Sequence, residues 1–202
     1  EITAAYAPFG NGGLYYKPAT YSRIEDTNGN VVYDNTSTKN RALSEDTASI
    51  MNRLLRQVVV GESGTGRRAN MGDMDVVGKT GTSQDYYDRA FVGMTPYYIG
   101  GFWTGYDTPA ELPESRLYSP DTVWKTIMTE VHEGLEPKQF KLSDDVVSME
   151  FCVESGLAVT SRCTKTETGY YKKNALPGPC DMPHEATDEE GGDSPENAAA
   201  VQ

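Results

Sequence analysis

Lys79-Thr80-Gly81-Thr82 places an ammonium group, two hydroxyls and a position without a side chain in four consecutive residues. On an extended strand Lys79 and Gly81 face one way and Thr80 and Thr82 the other, unless a twist or bulge redirects them. Bare Gly81 then lets a second backbone lie against the strand and use its amides and carbonyls, while the lysine and hydroxyls suit a carboxylate on that ligand. The chemistry implied is recognition of an extended peptide with a free carboxylate. The competing reading is a binding or structural module in which Lys79 faces solvent and the threonines are ordinary β-formers.

Other chemistries fit the residues less well. Gly64-Thr65-Gly66-Arg67-Arg68-Ala69 has the spacing of a dinucleotide fingerprint but follows a helix instead of a first strand. Gly78-Lys79-Thr80 resembles the end of a phosphate loop, yet the glycine required five residues earlier is Asp73. Asp26, Asn28 and Asn30 suggest a calcium loop, but its sixth position is Val31. Cys152, Cys163 and Cys180 are widely spaced, and His132 and His184 are the only histidines. That pattern reads as too wide and too histidine-poor for zinc, so no metal site and no cofactor are expected. One bridge, Cys152 to Cys163 or Cys163 to Cys180, would fit an exported module. Three buried free thiols are the alternative, and spacing does not choose between them.

The elements that must position Lys79–Thr82 can be read on either side of it. Residues 1–43 read as loop and hairpin, with Tyr21–Ile24 and Val31–Tyr33 as short strands around Asp26-Thr27-Asn28-Gly29. Ser44–Val60 is the clearest helix: Ser44 caps it, Glu45 and Asp46 occupy the first turn, and Ala48, Met51, Leu54, Leu55, Val58 and Val59 form one apolar stripe. Gly61–Gly66 follows as a loop near a site or merely a bend. Asp75–Thr82, Arg89–Thr95 and Tyr97–Tyr106 read as strands, and connections this short join antiparallel neighbours. After a polar loop from Asp107 to Tyr118, Ser119 caps a helix that opens on Pro120 and stops at Gly134, with Val123, Trp124, Ile127, Met128 and Val131 as its covering face. Val146–Val153 is one further strand, and Gly156–Cys180 is a polar segment without a clear element. The fold class is α/β in content with an α+β arrangement: about three antiparallel core strands covered by two helices.

Composition narrows the partners. The chain has 202 residues and a formal net charge of −12, which excludes a general nucleic-acid footprint. The imbalance concentrates in residues 181–202, an acidic segment without Lys or Arg that reads as a disordered tail. No apolar run approaches the roughly 20 residues of a membrane span, and no basic-then-apolar leader opens the chain, so no membrane contact is required of this segment. The first residue is Glu1, as expected of a mature product or a fragment.

Lys79-Thr80-Gly81-Thr82-Ser83, preceded by Gly78 and followed by Asp88-Arg89-Ala90-Phe91-Val92-Gly93, resembles the third motif of the penicillin-binding transpeptidases and serine β-lactamases, in the form found in class A, bifunctional penicillin-binding proteins. The resemblance extends to Tyr6-Ala7-Pro8-Phe9-Gly10-Asn11-Gly12-Gly13, to Lys17-Pro18, to Val58-Val59 leading into Gly64-Thr65-Gly66, and to Phe102-Trp103-Thr104-Gly105-Tyr106-Asp107. Cys152–Gly156 and Cys163 resemble the Cys-x-x-Ser-Gly tail of Gram-positive members. The resemblance implies three parts: residues 1–134 as the carboxy-terminal part of a transpeptidase domain, 135–180 as an extension, and 181–202 as the acidic tail.

By the same resemblance Lys79 orients substrate and tunes a proton relay. Thr80 and Thr82 bind the carboxylate of a D-Ala-D-Ala stem peptide or a β-lactam, Gly81 keeps it close, and the Thr82 N–H is one oxyanion-hole donor. Asp88 and Arg89 are expected to fix the turn by a local ion pair. The family's nucleophile motif, Ser-x-x-Lys, and its Ser-x-Asn partner are both missing from the sequence; Thr36-Ser37-Thr38-Lys39 is the nearest imitation. The expectation is a substrate-side piece, inactive alone, of a membrane-anchored cell-wall synthase on the outer face of a Gram-positive-type bacterium. A β-lactamase-like remnant is a further alternative. Without the missing half, the strand edge and the stripe on Ser44–Val60 are expected to lie exposed and to favour self-association.

Overall fold

A computed structural model describes residues 1–35, 38–113 and 119–184. Thr36 and Ser37, the end of the Asp107–Tyr118 loop and the acidic tail beyond His184 lie outside the described residues. In chain order the elements are α1 (Ile2–Tyr6), β1 (Leu14–Tyr16), β2 (Arg23–Glu25), β3 (Val31–Asp34), β4 (Lys39–Arg41), α2 (Glu45–Val60), β5 (Val77–Thr82), β6 (Asp88–Met94), β7 (Ile99–Gly105), α3 (Pro120–Val131), β8 (Val146–Cys152) and β9 (Thr166–Lys172). Contacts divide the chain into two compact units: Glu1–Val147 with Tyr170–Lys173, and Ser148–Gly169 with Asn174–Gln202. The first unit thus continues past Gly134, through the segment that holds Phe140.

The centre of the first unit is an antiparallel sheet in the order β5-β6-β7. Its register places Thr80 opposite Phe91 and Phe91 opposite Phe102, and aligns Gly78, Gly93 and Gly100 across the three strands. These glycines form a slot. A Cβ on Gly78 would lie 2.6 Å from Phe91 Cζ, and one on Gly93 would lie 2.8 Å from Trp124 Cε2. Phe91 fills the slot at Gly78, and Trp124 of α3 fills it at Gly93 and Gly100, fully buried, edge-on to Phe91 with ring centroids 5.5 Å apart and donating from Nε1 to the Gly100 carbonyl at 3.2 Å.

The stripe on α2 is covered, which corrects the expectation that it would lie open. Val59 joins Val76, Phe91, Trp124 and Met128 in one apolar cluster, and Leu55 joins Val77, Met94 and Phe140 in a second. Of the stripe, Leu54 remains exposed. Asp75 fixes the approach of α2 to β5: its buried carboxylate accepts from Arg56 Nε at 2.7 Å and from the Phe140 N–H at 3.2 Å, with Arg53 3.8 Å away.

Several elements differ from the sequence expectation. Residues 2–6 form a helical turn instead of loop, seated where Gly101 of β7 has no side chain and Thr3 takes the space. β1 pairs with β4 across the β2–β3 hairpin. Ser44 has the extended backbone of a cap, but its hydroxyl bonds Asp46 and Thr47 side chains instead of a helix amide. β9 arises within the segment read as featureless, paired with β8. No disulfide forms: Cys152, Cys163 and Cys180 are free thiols.

Candidate functional site

β5 is an edge strand, and among the described residues no strand pairs with its outer side. Ser83 donates its N–H to the Asp88 carbonyl at 2.9 Å, continuing the ladder one position beyond the Thr82–Arg89 pair. Hydrogen-bonded and non-hydrogen-bonded pairs alternate in an antiparallel ladder. Ser83–Asp88 belongs to the first kind, so Thr82–Arg89 and Thr80–Phe91 belong to the second. The N–H and C=O groups of Thr80 and Thr82 therefore point away from β6, to the open side. Lys79 confirms the direction at one of them, since its Nζ donates to the Thr80 carbonyl at 2.9 Å.

Lys79, Gly81 and Thr82 are exposed and Thr80 is half-buried. Gly61–Gly66 lies beside this strand: the Thr65 and Thr80 hydroxyls are 2.7 Å apart and share a hydrogen bond. The glycines flanking Thr65 are required by packing, because a Cβ on Gly64 would meet the Val58 carbonyl at 2.5 Å and one on Gly66 would meet Phe91 at 3.0 Å. Gly81 is different. A Cβ there would meet only Ala90 Cβ, at 3.5 Å, an ordinary contact. Nothing among the described residues requires position 81 to be bare.

The turn from β5 to β6 is held by Ser83, whose hydroxyl accepts from the Asp88 N–H at 2.8 Å. The expected ion pair between Asp88 and Arg89 is absent among the described residues. Asp88 instead accepts from the Trp103 indole N–H at 3.0 Å, because β6 and β7 bring that ring alongside it. Both residues thus sit at the head of β6, with Arg89 opposite Thr82 in the register. A cleft of about 440 Å³ lies elsewhere, bordered by Phe9, Asn11, Glu45, Asn52 and Phe140, and includes no residue of Lys79–Thr82.

The family model for the penicillin binding protein transpeptidase domain matches residues 1–109. The chain belongs to the penicillin-binding protein transpeptidase family. Penicillin-binding protein 1A of Clostridium perfringens is 32% identical over 169 residues, 83% of this chain and 20% of its own length. Penicillin-binding protein 1A of Clostridium tetani is 34% identical over 185 residues, 88% of this chain and 23% of that protein. The chain therefore spans about a fifth of the length of these relatives. Penicillin-binding protein 1A from Haemophilus influenzae superposes on 90% of this chain and 33% of its own with a TM-score of 0.70 at 17% identity. The fold is accordingly a partial penicillin-binding protein transpeptidase fold. No helix among the described residues is long and apolar enough to cross a membrane.

One constellation was hidden by sequence spacing. Cys152, Cys163, Cys180 and His184 bring one donor atom each to within 4.8 Å of one another. Wide gaps between the cysteines had argued against zinc, but folding of the second unit removes that ground. The overlooked signal was Cys180-x-x-x-His184, a ligand spacing in its own right. His132 is occupied structurally, with Nδ1 at 2.6 Å from the Met128 carbonyl and Nε2 at 2.7 Å from the Thr95 hydroxyl.

Proposed function

We propose that this chain supplies the substrate-side strand of a serine-type D,D-transpeptidase that cross-links peptidoglycan stem peptides by acyl transfer from D-Ala-D-Ala and is acylated by β-lactams at the same place. The observation that carries the reading is Gly81, bare on an open strand edge for no reason that the described residues supply. The peptide lies along β5 and pairs with its outward amides and carbonyls. Thr80 and Thr82 hydroxyls bind its carboxylate, with Thr65 orienting the first of them. The Thr82 N–H donates to the oxyanion that develops on the attacked carbonyl, where a preorganised donor contributes about 2.7–4 kcal/mol to the barrier. Lys79 orients the substrate and supports the proton relay. Asp88 and Arg89 shape the start of β6 and do not touch substrate.

The nucleophile comes from a Ser-x-x-Lys element that these 202 residues do not contain. The intact protein is a membrane-anchored cell-wall synthase acting on the outer face of the cytoplasmic membrane of a Gram-positive-type bacterium. This chain alone forms no penicilloyl ester. Fluorescent penicillin, followed by boiling and gel electrophoresis, tests both statements: full-length protein gives a covalent band that Lys79→Ala largely removes, and the isolated chain gives none. A stable band on the isolated chain, or full labelling of the Lys79→Ala protein, overturns the reading. The open edge of β5 also pairs two copies of the isolated chain, so light scattering should show mass rising with concentration; a monomer at every concentration removes that part.

A further inference from the structure

The second unit has almost no apolar interior. Among its described residues only Cys152 and Cys180 are buried. A unit this small needs a staple to offset its conformational entropy, and burying two isolated thiols does not provide one. We infer that Cys152, Cys163, Cys180 and His184 hold a zinc ion that closes this unit.

The geometry fits the ion. Zn–S and Zn–N bonds of about 2.3 and 2.0 Å in a tetrahedron require ligand atoms roughly 3.4–3.8 Å apart. Cys180 Sγ lies 3.1 Å and Cys152 Sγ 3.5 Å from His184 Nε2, and all four donors fall within 4.8 Å. Shifts of no more than about 1 Å between donors complete the tetrahedron. Three thiolates and an imidazole form a soft donor set that suits zinc and disfavours magnesium or calcium. With four protein ligands no position is left for water or substrate, so the site is structural.

Surrounding groups prepare each ligand. Glu154 lies 2.6 Å from His184 Nδ1, so that nitrogen carries the proton and Nε2 presents its lone pair to the sulfurs. The same carboxylate raises the His184 pKa above its ordinary value, against the effect of burial. The Thr160 N–H donates to Cys163 Sγ at 3.3 Å, and the Ser155 hydroxyl to Cys180 Sγ at 3.1 Å. Burial pushes the Cys152 thiol up, but hydrogen bonds from Ser155, Glu154 and Cys180 outweigh it and bring the pKa down to about 6. The backbone is tied between the ligands: Cys152 donates its N–H to Leu157, Gly156 returns one to Cys152 through a left-handed turn with φ of 72°, and Cys180 donates to Ala158. The chain therefore holds its thiols together without a disulfide, and an odd cysteine count needs no unpaired remainder.

The test uses the whole 202-residue chain, prepared under reducing conditions with zinc and then desalted. Elemental analysis should give one zinc per chain. Replacement by cobalt(II) should give intense thiolate-to-cobalt charge-transfer bands in the near ultraviolet and the strong visible bands of tetrahedral cobalt. Cys163→Ser should weaken the charge-transfer bands. Glu154→Gln keeps all four ligands and should lower zinc affinity about 10–100-fold in competition with a chromogenic chelator. Zinc well below one equivalent with three titratable thiols, a disulfide in the zinc-loaded reduced preparation, or cobalt bound without charge-transfer bands would each overturn the site.

Discussion

Alanine at position 81 and alanine at position 78 should act in opposite directions on stability, although both glycines lie on one strand. At Gly78 the added methyl would be 2.6 Å from Phe91 Cζ and 2.7 Å from the Val92 carbonyl, and Phe91 is fully buried against Trp124. Overpacking of that kind costs about 1–3 kcal/mol. At Gly81 the methyl meets Ala90 Cβ at 3.5 Å and nothing else, and the backbone is not left-handed. There the loss of unfolded-state freedom should dominate and stabilise by about 0.4–1 kcal/mol. With roughly 2–4 °C per kcal/mol for a domain of this size, Gly81→Ala should raise the melting temperature by about 1–4 °C, and Gly78→Ala should lower it by about 2–12 °C. Thermal unfolding followed by circular dichroism reads both. In the full-length protein the Gly81 methyl occupies the space of the bound peptide, and a displacement near 1 Å should slow β-lactam acylation by about 100-fold. If Gly81→Ala destabilises as much as Gly78→Ala, the claim that position 81 is bare for a ligand fails. A stable Gly81→Ala protein that acylates at the normal rate refutes the claim as well.

Asp75→Ala leaves Arg53 and Arg56 without their carboxylate and should cost about 3 kcal/mol, since both arginines retain some exposure; a loss under 1 kcal/mol in denaturant unfolding would contradict the buried network. The Asp46 pKa is held at about 2, first by its bond from Ser44 and then by Lys172, whose Nζ lies 3.2 Å away. A depressed carboxylate stabilises the fold above its unfolded value of 3.8 and loses that contribution as pH falls through about 2. Lys172→Ala should therefore move the Asp46 titration toward 3.8, read by NMR, and an unchanged midpoint would exclude the lysine's role. Thr65→Val removes one exposed hydrogen bond and should change stability by about 1 kcal/mol or less while slowing acylation of the full-length protein; normal acylation would remove Thr65 from the site.

Helices α2 and α3 and strands β5–β7 were legible because their apolar positions repeat with the period of the element. Ala48, Leu55 and Val59 turn one face of α2 inward, and Phe91 and Phe102 share one face of the sheet. β4 was not legible, since Lys39, Asn40 and Arg41 are all exposed and show no alternation. α1 is too short for a periodic signal and owes its seat to Gly101, a partner far away in sequence. β9 opens on exposed Thr166, Glu167 and Thr168, so its pairing with β8 and not its own pattern defines it. At the site, residue types pointed to Lys79–Thr82, but the outward turn of the Thr82 amide depends on ladder phase, which Ser83 and Asp88 set. The cysteine cluster escaped because gap counting assumes nearby ligands. Ala158 bridges both Phe151 and Pro179 and so gathers three distant stretches at one point.

The glycine slot has a mechanical consequence. A helix lying on side chains can slip along a sheet by small steps, but α3 is pegged by a single indole sunk against Gly93 and Gly100. Any lengthwise push on the helix must carry the strands with it or eject the peg. The peg bears on Phe91, whose ring covers Gly78 of β5 one residue before Lys79, where the strand turns from interior to surface. Stiffness at the exposed end is thus delivered from behind, and loosening Trp124 should blur the ligand-facing edge without altering any residue on it.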